Sequence, residues 1–520
     1  MSFRQRASEP SLGWMAWVVA LTILSSGVLA MMANKTGADE AVKRVTARVY
    51  GLLLTSGYAT AGQEAITVVT IDDDDLEALE YSWPLGLDYY QRLVDHIVEA
   101  RPRAIFLDLM FLDRKKPAEI ASLIQAACRA TELGIPFLLA TVTAAAERGY
   151  TEKLLFSALT RTGKPCVLPV APHVSPDALD QSQWYYPLRP RGQQFPSPAL
   201  AMYCALHPDA CLMDARAPLA LVWGTHAAAA NVRTMVTRVD DAAAPGNQTY
   251  RPLCRLNWHW WQVLPFAKPL HDWWYGALEP LCPYHQVLPV RAFQNQGFDA
   301  QERQEALRGK AVLIGTDLQG IGDSHVSPFH GLLPGVHVHA MALDNLISFQ
   351  GQYKRSGDPE PGDADGGLRN FFGPALTFNL IALALTSTAM VLWRFIEPRM
   401  RRNEQVQPWF HDERDRVRFA ALSPFMVLFG WPRVRRNGSL RRTGVKLILY
   451  FVTGGVVLAI GYGLLHQGPL AVVEYTLFPL LADTFRVGER IAVNLRDYGR
   501  AFWSDKPWQA WHRSRDRTQD

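Results

Sequence analysis

The sequence predicts an α/β fold: a mostly parallel sheet with flanking helices on the far side of a membrane, joined to four α-helical transmembrane segments. Three observations carry this. Short β-branched runs ending in acids or glycine alternate with helical stretches between residues 66 and 170 and again from 311 to 349. Uninterrupted apolar runs sit only near the two ends of the chain. All six cysteines, Cys128, Cys166, Cys204, Cys211, Cys254 and Cys282, fall in the block between them. Strand and helix alternation at this spacing argues for a parallel sheet with right-handed crossovers.

The first element is the charge-free run Leu12 to Met32, preceded by Arg4 and Arg6 and long enough to cross the hydrocarbon core. A cleavable leader ending near Val28-Leu29-Ala30 is the alternative, but the run exceeds the usual leader core. Val42, Val45, Val49, Leu52 and Leu53 then fall near one face of a helix leading into the first strand. Strands are expected at 66–72, 104–109, 135–141 and 166–170, and helices at 88–100, 118–133 and 154–162. Past Ala171 the pattern weakens. A helix is expected from Pro198 through Ala205, a strand at 219–223, a polar surface loop from Asn231 to Arg251, and helix over 291–308. Trp258, Trp260, Trp261, Trp273, Trp274 and Tyr275 form an aromatic concentration that reads as packing of an irregular insertion, or as a membrane-interface or partner surface.

The closing run Ala311-Val312-Leu313-Ile314-Gly315 suits a strand buried on both faces. A glycine-rich loop with Asp317, Gly320, Gly322, Asp323 and His325 follows, and after Pro334-Gly335 the stretch VHVHAMALDNLI reads as a helix. Upstream, ITVVTIDD, Trp83-Pro84 and AIFLD make a matching opening block. Together these motifs resemble the CHASE type-2 family, extracellular sensor domains of bacterial cyclases and histidine kinases, over roughly residues 40 to 350. The resemblance implies an extracytoplasmic sensor. Relatives commonly continue into a cyclase or kinase; here the tail after the last span is too short for a catalytic core, so output is expected from another chain.

Three further spans are expected, at 371–393, 445–465 and from about 468 to 487, the last two forming a hairpin around His466-Gln467-Gly468-Pro469. The segment between the second and third spans holds twelve arginines against five acids over residues 394–442, which marks it and the arginine-rich tail as cytoplasmic. The organisation is then a cytoplasmic N-tail and first span (1–33), an extracytoplasmic sensor domain (34–369), a second span (370–394), a basic cytoplasmic segment with an interfacial helix at 419–431 (395–443), a transmembrane hairpin (444–487) and a cytoplasmic tail (488–520). Basic flanks beside that helix suit lipid headgroups, and nucleic acid is not an expected partner. An export compartment permits disulfides, for which Cys204 with Cys211 and Cys254 with Cys282 are the nearest pairs in sequence; buried free thiols are the alternative.

Acids at strand ends give the candidate binding residues: Asp72, Asp73, Asp108, Asp317, Asp323 and, in the same loop, His325. In an open α/β sheet such ends line the crevice where ligands are met. They can hold a cation or a cationic ligand, or they can cap helices. Asp74, Asp75, Glu77 and Glu80 read as a solvated face. No nucleophile elbow, phosphate loop, HExxH or dinucleotide fingerprint is present, so a catalytic role is not expected, while the motifs leave the cofactor and any metal unassigned. The expected function is a non-enzymatic sensor or regulatory subunit in the bacterial inner membrane, relaying to a protein partner and open to homo-oligomerisation. The alternatives are a structural subunit of an envelope or defence complex and, more weakly, a periplasmic hydrolase.

Overall fold

The computed structural model describes residues 58–355, apart from 143, 145–146, 175, 177–180, 213–214, 216, 241–247, 253, 257, 260–270, 275–278, 295–298 and 321, together with scattered helical residues at 55 and between 384 and 460. The chain divides into two compact units, one of residues 44–362 and 466–469, the other of 1–43, 363–465 and 470–520. In the second unit the described residues are helical turns such as 388–390 and 452–457, where Thr388 and Thr453 donate to carbonyls one turn back. Among the described residues no helix is long and apolar enough to cross a membrane. The four expected spans and the interfacial segment at 419–431 lie outside the described residues, apart from those turns.

The first unit is built in chain order from α1 (Ala61–Ala65), β1 (Ile66–Asp72), α2 (Asp73–Ala78), α3 (Leu87–Glu99), β2 (Ala104–Leu107), α4 (Pro117–Glu132), β3 (Phe137–Ala140), α5 (Tyr150–Ser157) and β4 (Leu168–Val170). There follow β5 (Tyr185–Tyr186), α6 (Pro198–Leu206), β6 (Leu219–Ala220), α7 (Asn231–Thr234), β7 (Val236–Asp240), β8 (Gln248–Pro252), β9 (Gln286–Pro289), α8 (Ala300–Leu307), β10 (Ala311–Asp317), β11 (Ser324–Ser327), β12 (Gly331–Pro334) and α9 (Gly335–Phe349). Six strands make one sheet in the order β4-β3-β2-β10-β1-β9, and every neighbouring pair is parallel.

Alternate residues of each strand feed opposite layers, as the two-residue period dictates. Val69, Ile71, Ile105, Leu107, Val312 and Ile314 pack on one side with Leu93, Ile97, Leu123 and Ala127 of α3 and α4. Ile66, Val68, Phe106, Leu138 and Leu313 pack on the other with Leu200, Tyr203, Val338 and Leu346 of α6 and α9. The closing strand is thus covered on both faces, which is why five apolar residues in a row suit it. Gly315 has a packing reason: a Cβ there would stand 2.6 Å from Cβ of Val336 on α9, so only glycine lets that helix lie so close to β10.

Most expected elements are present with shifted ends, and three readings are corrected. Residues 231–251, expected as a surface loop, include the antiparallel hairpin β7–β8, whose alternating Val236, Thr237, Arg238 and Val239 carry strand propensity. The glycine-rich closing loop contains a second hairpin, β11–β12. Over 291–308 the expected helix is a 3-10 turn at Val290–Gln294 followed by α8. Strand β9 is obscure in the sequence because Pro283 precedes it and Pro289 ends it, as in a loop. Among the described residues it is an edge strand paired with β1 alone, where a missing N–H is tolerated, and Pro169 sits likewise in β4 at the opposite edge.

All six cysteines are paired. Cys204 joins Cys211 and Cys254 joins Cys282, while Cys128 of α4 joins Cys166 just before β4, a pair not singled out from sequence.

Candidate functional site

The carboxyl ends of β1, β10 and β9 open into a cavity of about 320 Å³, lined among others by Thr70, Asp72, Asp73, Asp317, Arg291 and His337. Parallel strands deliver these residues to one edge: Asp72 and Asp317 are register partners at the ends of adjacent strands. Asp72 ends β1 and caps α2, accepting from the Asp75 N–H at 2.6 Å, while the Asp75 carboxylate accepts from the Asp72 N–H at 3.0 Å. Arg291 holds both, its Nη1 3.2 Å from each Asp72 oxygen and 3.0 Å from Oδ1 of Asp75.

Asp75 corrects the reading of 74–80 as a solvated face. Its side chain is fully buried, because the capping box turns it inward under Arg291. Burial first, and then the charge of Asp72, push its carboxyl up to about 7. Asp73 is exposed and accepts from the Gln319 N–H at 2.9 Å, tying the loop after β10 to α2. Desolvation, followed by the like charges of Asp72 and Asp73, raises the Asp317 carboxyl above its ordinary range.

The remaining candidates form a separate group further along the same edge. Asp108 follows β2 with its side chain 9% exposed, its Oδ2 3.6 Å from Nε2 of His339, whose Nδ1 lies 2.7 Å from the Tyr186 hydroxyl. Desolvation, then the charge of Asp323, raises the Asp108 carboxyl well above normal, and burial lowers the His339 imidazole to about 3. Both groups therefore favour their neutral forms. Asp323 lies 3.6 Å from His325, which stands 3.2 Å from Gln183, and the Asp323 carbonyl accepts from the Gly335 N–H at the start of α9. Of the sequence candidates, then, Asp72, Asp73 and Asp317 share the cavity, whereas Asp108, Asp323 and His325 do not line it.

Sequence reasoning missed Arg291, His330 and His337. Arg291 follows the unrecognised edge strand β9; the two histidines sit in apolar surroundings that read as core. His337 is 4% exposed, its Nδ1 has no hydrogen-bond partner among the described residues, and burial with the nearby His285 and His330 lowers its imidazole to about 3. Among the described residues no group of three or more His, Cys, Asp or Glu side chains is placed to hold a metal ion.

Helix α9 connects this cavity to the start of the domain. His337 lies in its first turn; further along, Asp344 accepts from the Tyr58 hydroxyl at 2.6 Å and lies 2.9 Å from Nε2 of His285, with Asp344 fully buried. Asn345 donates to the Tyr58 hydroxyl and brackets Val222, accepting from its N–H and donating to its carbonyl. Gly62 of α1 lies so close that a Cβ there would overlap the Asp344 carboxylate. The opening and closing sequence blocks thus meet twice, as neighbouring strands and as packed helices. The CHASE2 domain model matches residues 16–366, about two thirds of the chain.

This chain belongs to the CHASE2 domain family. CHASE2 domains are extracytoplasmic sensory domains, and three disulfides fit that compartment. The match includes the region from 175 to 285 where sequence motifs fade, and it begins inside the first expected span. Neither a curated protein nor a solved structure matches the chain.

Proposed function

We propose that this CHASE2 protein is a multi-pass inner-membrane sensor without catalytic activity, whose extracytoplasmic domain takes a ligand in the cavity at the carboxyl ends of β1, β10 and β9 and relays its presence to a protein partner. One observation carries the reading: α9 lines the cavity with His337 and, through Asp344 and Asn345, grips Tyr58 near the start of the domain. A ligand that favours one placement of α9 therefore acts on the segments that lead into and out of the domain. It can do so only by binding two arrangements unequally. Four spans, with the arginine-rich segment and both termini cytoplasmic, are the membrane arrangement that hydropathy and charge support.

A structural or assembly role in an envelope complex is the second reading. It is favoured by Trp273 and Trp274, which are 76% and 67% exposed with ring centroids 5.0 Å apart and suit a lipid or protein surface. The two readings separate on the intact protein purified in mild detergent with its co-purifying chains identified by mass spectrometry. Asp317→Asn at the cavity rim should change the partner's output and leave the amount of complex unaltered. Unchanged output beside lost complex would sink the sensor reading in favour of assembly.

A further inference from the structure

The cavity's charge is out of balance. Among the described residues Asp72, Asp73, Asp74 and Asp317 line it against one guanidinium, that of Arg291, which Asp72 and the buried Asp75 already engage. Among the described residues the Asp73 carboxylate is met by the uncharged N–H of Gln319 alone. Acids grouped at a rim attract solvent ions without selecting a ligand. His337 supplies a different kind of observation: a nearly wholly buried side chain that lines the same cavity and whose Nδ1 has no hydrogen-bond partner among the described residues. Buried nitrogens are costly to leave unpaired, so a polar group arriving in the cavity gains what the protein does not provide. Leu281, Val287 and Leu333 add apolar wall.

A volume of about 320 Å³ is at the low end for a small-molecule site. A divalent metal is disfavoured, since no three ligating side chains converge among the described residues.

Resting on the sensor reading, we propose that the cavity binds a small organic cation: an ammonium neutralised by Asp73 and Asp317, an apolar body against Leu281, Val287 and Leu333, and a second polar group hydrogen-bonded to Nδ1 of His337. The three parts of the wall ask for three parts of one molecule. None of them alone distinguishes it from salt, lipid or water.

Calorimetric titration of the full chain in detergent with four matched probes tests this. Tyramine carries all three features, 4-(2-hydroxyethyl)phenol lacks the charge, 4-hydroxyphenylacetate reverses it, and phenethylamine lacks the second polar group. Tyramine should bind about ten-fold or more tighter than the neutral phenol, the scale of one charge-assisted hydrogen bond, with the carboxylate weakest. The Asp73→Asn/Asp317→Asn double variant should lose that preference while keeping its affinity for the neutral phenol and its melting temperature. His337→Phe should abolish the advantage of tyramine over phenethylamine. Equal binding of the neutral phenol, tighter binding of 4-hydroxyphenylacetate, or calcium displacing tyramine would overturn the organic cation and leave a sensor for another ligand. Silence from all four probes would also overturn it; the sensor reading itself falls only if Asp317→Asn signals as the unaltered protein does.

Discussion

Burial keeps His337 neutral, and the consequence has a definite sign. Its folded pKa, about 3, lies below the ordinary value near 6.5, so its contribution to stability is complete above about pH 6.5 and is lost as pH falls below that. Between those limits the unfolded chain binds one proton more at this site, worth about 1.4 kcal/mol per pH unit. The slope of unfolding free energy against pH from 6.5 to 5 should therefore be shallower by about that amount in His337→Gln, as denaturant titrations at several pH values would measure. Identical slopes would mean the imidazole is already protonated. At Gly315 the expectation is steric. Gly315→Ala should destabilise by about 1–3 kcal/mol through overpacking against Val336, with partial recovery in the Gly315→Ala/Val336→Ala double variant, read from melting curves. At this scale the sequence was half legible. Acids that end strands announced Asp72, Asp73 and Asp317, but the partner that meets the buried Asp75 is Arg291, more than two hundred residues away. No local pattern encodes that pairing. A histidine in an apolar helix gives no sign of whether its nitrogens find partners.

Elements were legible where one period dominates. Strands β1, β2, β3 and β10 are covered on both faces and read as apolar runs, and helix α3 presents Leu87, Tyr90, Leu93, Val94 and Ile97 at helical spacing. The edge strands and small hairpins were obscure because proline and polar residues are acceptable there, so the same composition serves strand or loop. Disulfides add a test at this scale. Cys128–Cys166 closes a separation of 38 residues and Cys204–Cys211 one of 7. Loop-closure entropy then makes Cys128→Ser/Cys166→Ser the more damaging pair by about 1.5 kcal/mol. Equal losses in the two double variants would show that native-state contacts, and not chain entropy, set the stabilisation.

For the whole molecule, arginine distribution sets the expected topology. Cysteine placed at Asn437 of a cysteine-free variant should resist membrane-impermeant maleimide in intact cells, and cysteine at Asn247 should react. External labelling at Asn437 would overturn the four-span arrangement. The sheet order has a bearing on biogenesis. Strands β2, β3 and β4 can pair in succession as they emerge, but β1 has no neighbour until β9 and β10 arrive, because β10 occupies the slot between β1 and β2. The partners Ile66 and Ala311 are 245 residues apart in the chain. A nascent chain halted before Ala311 therefore carries an unpaired β1 and a bare edge on β2, surfaces that invite aggregation and chaperone capture. Release of the closing strand, and not of the first hundred residues, is the event that completes the domain.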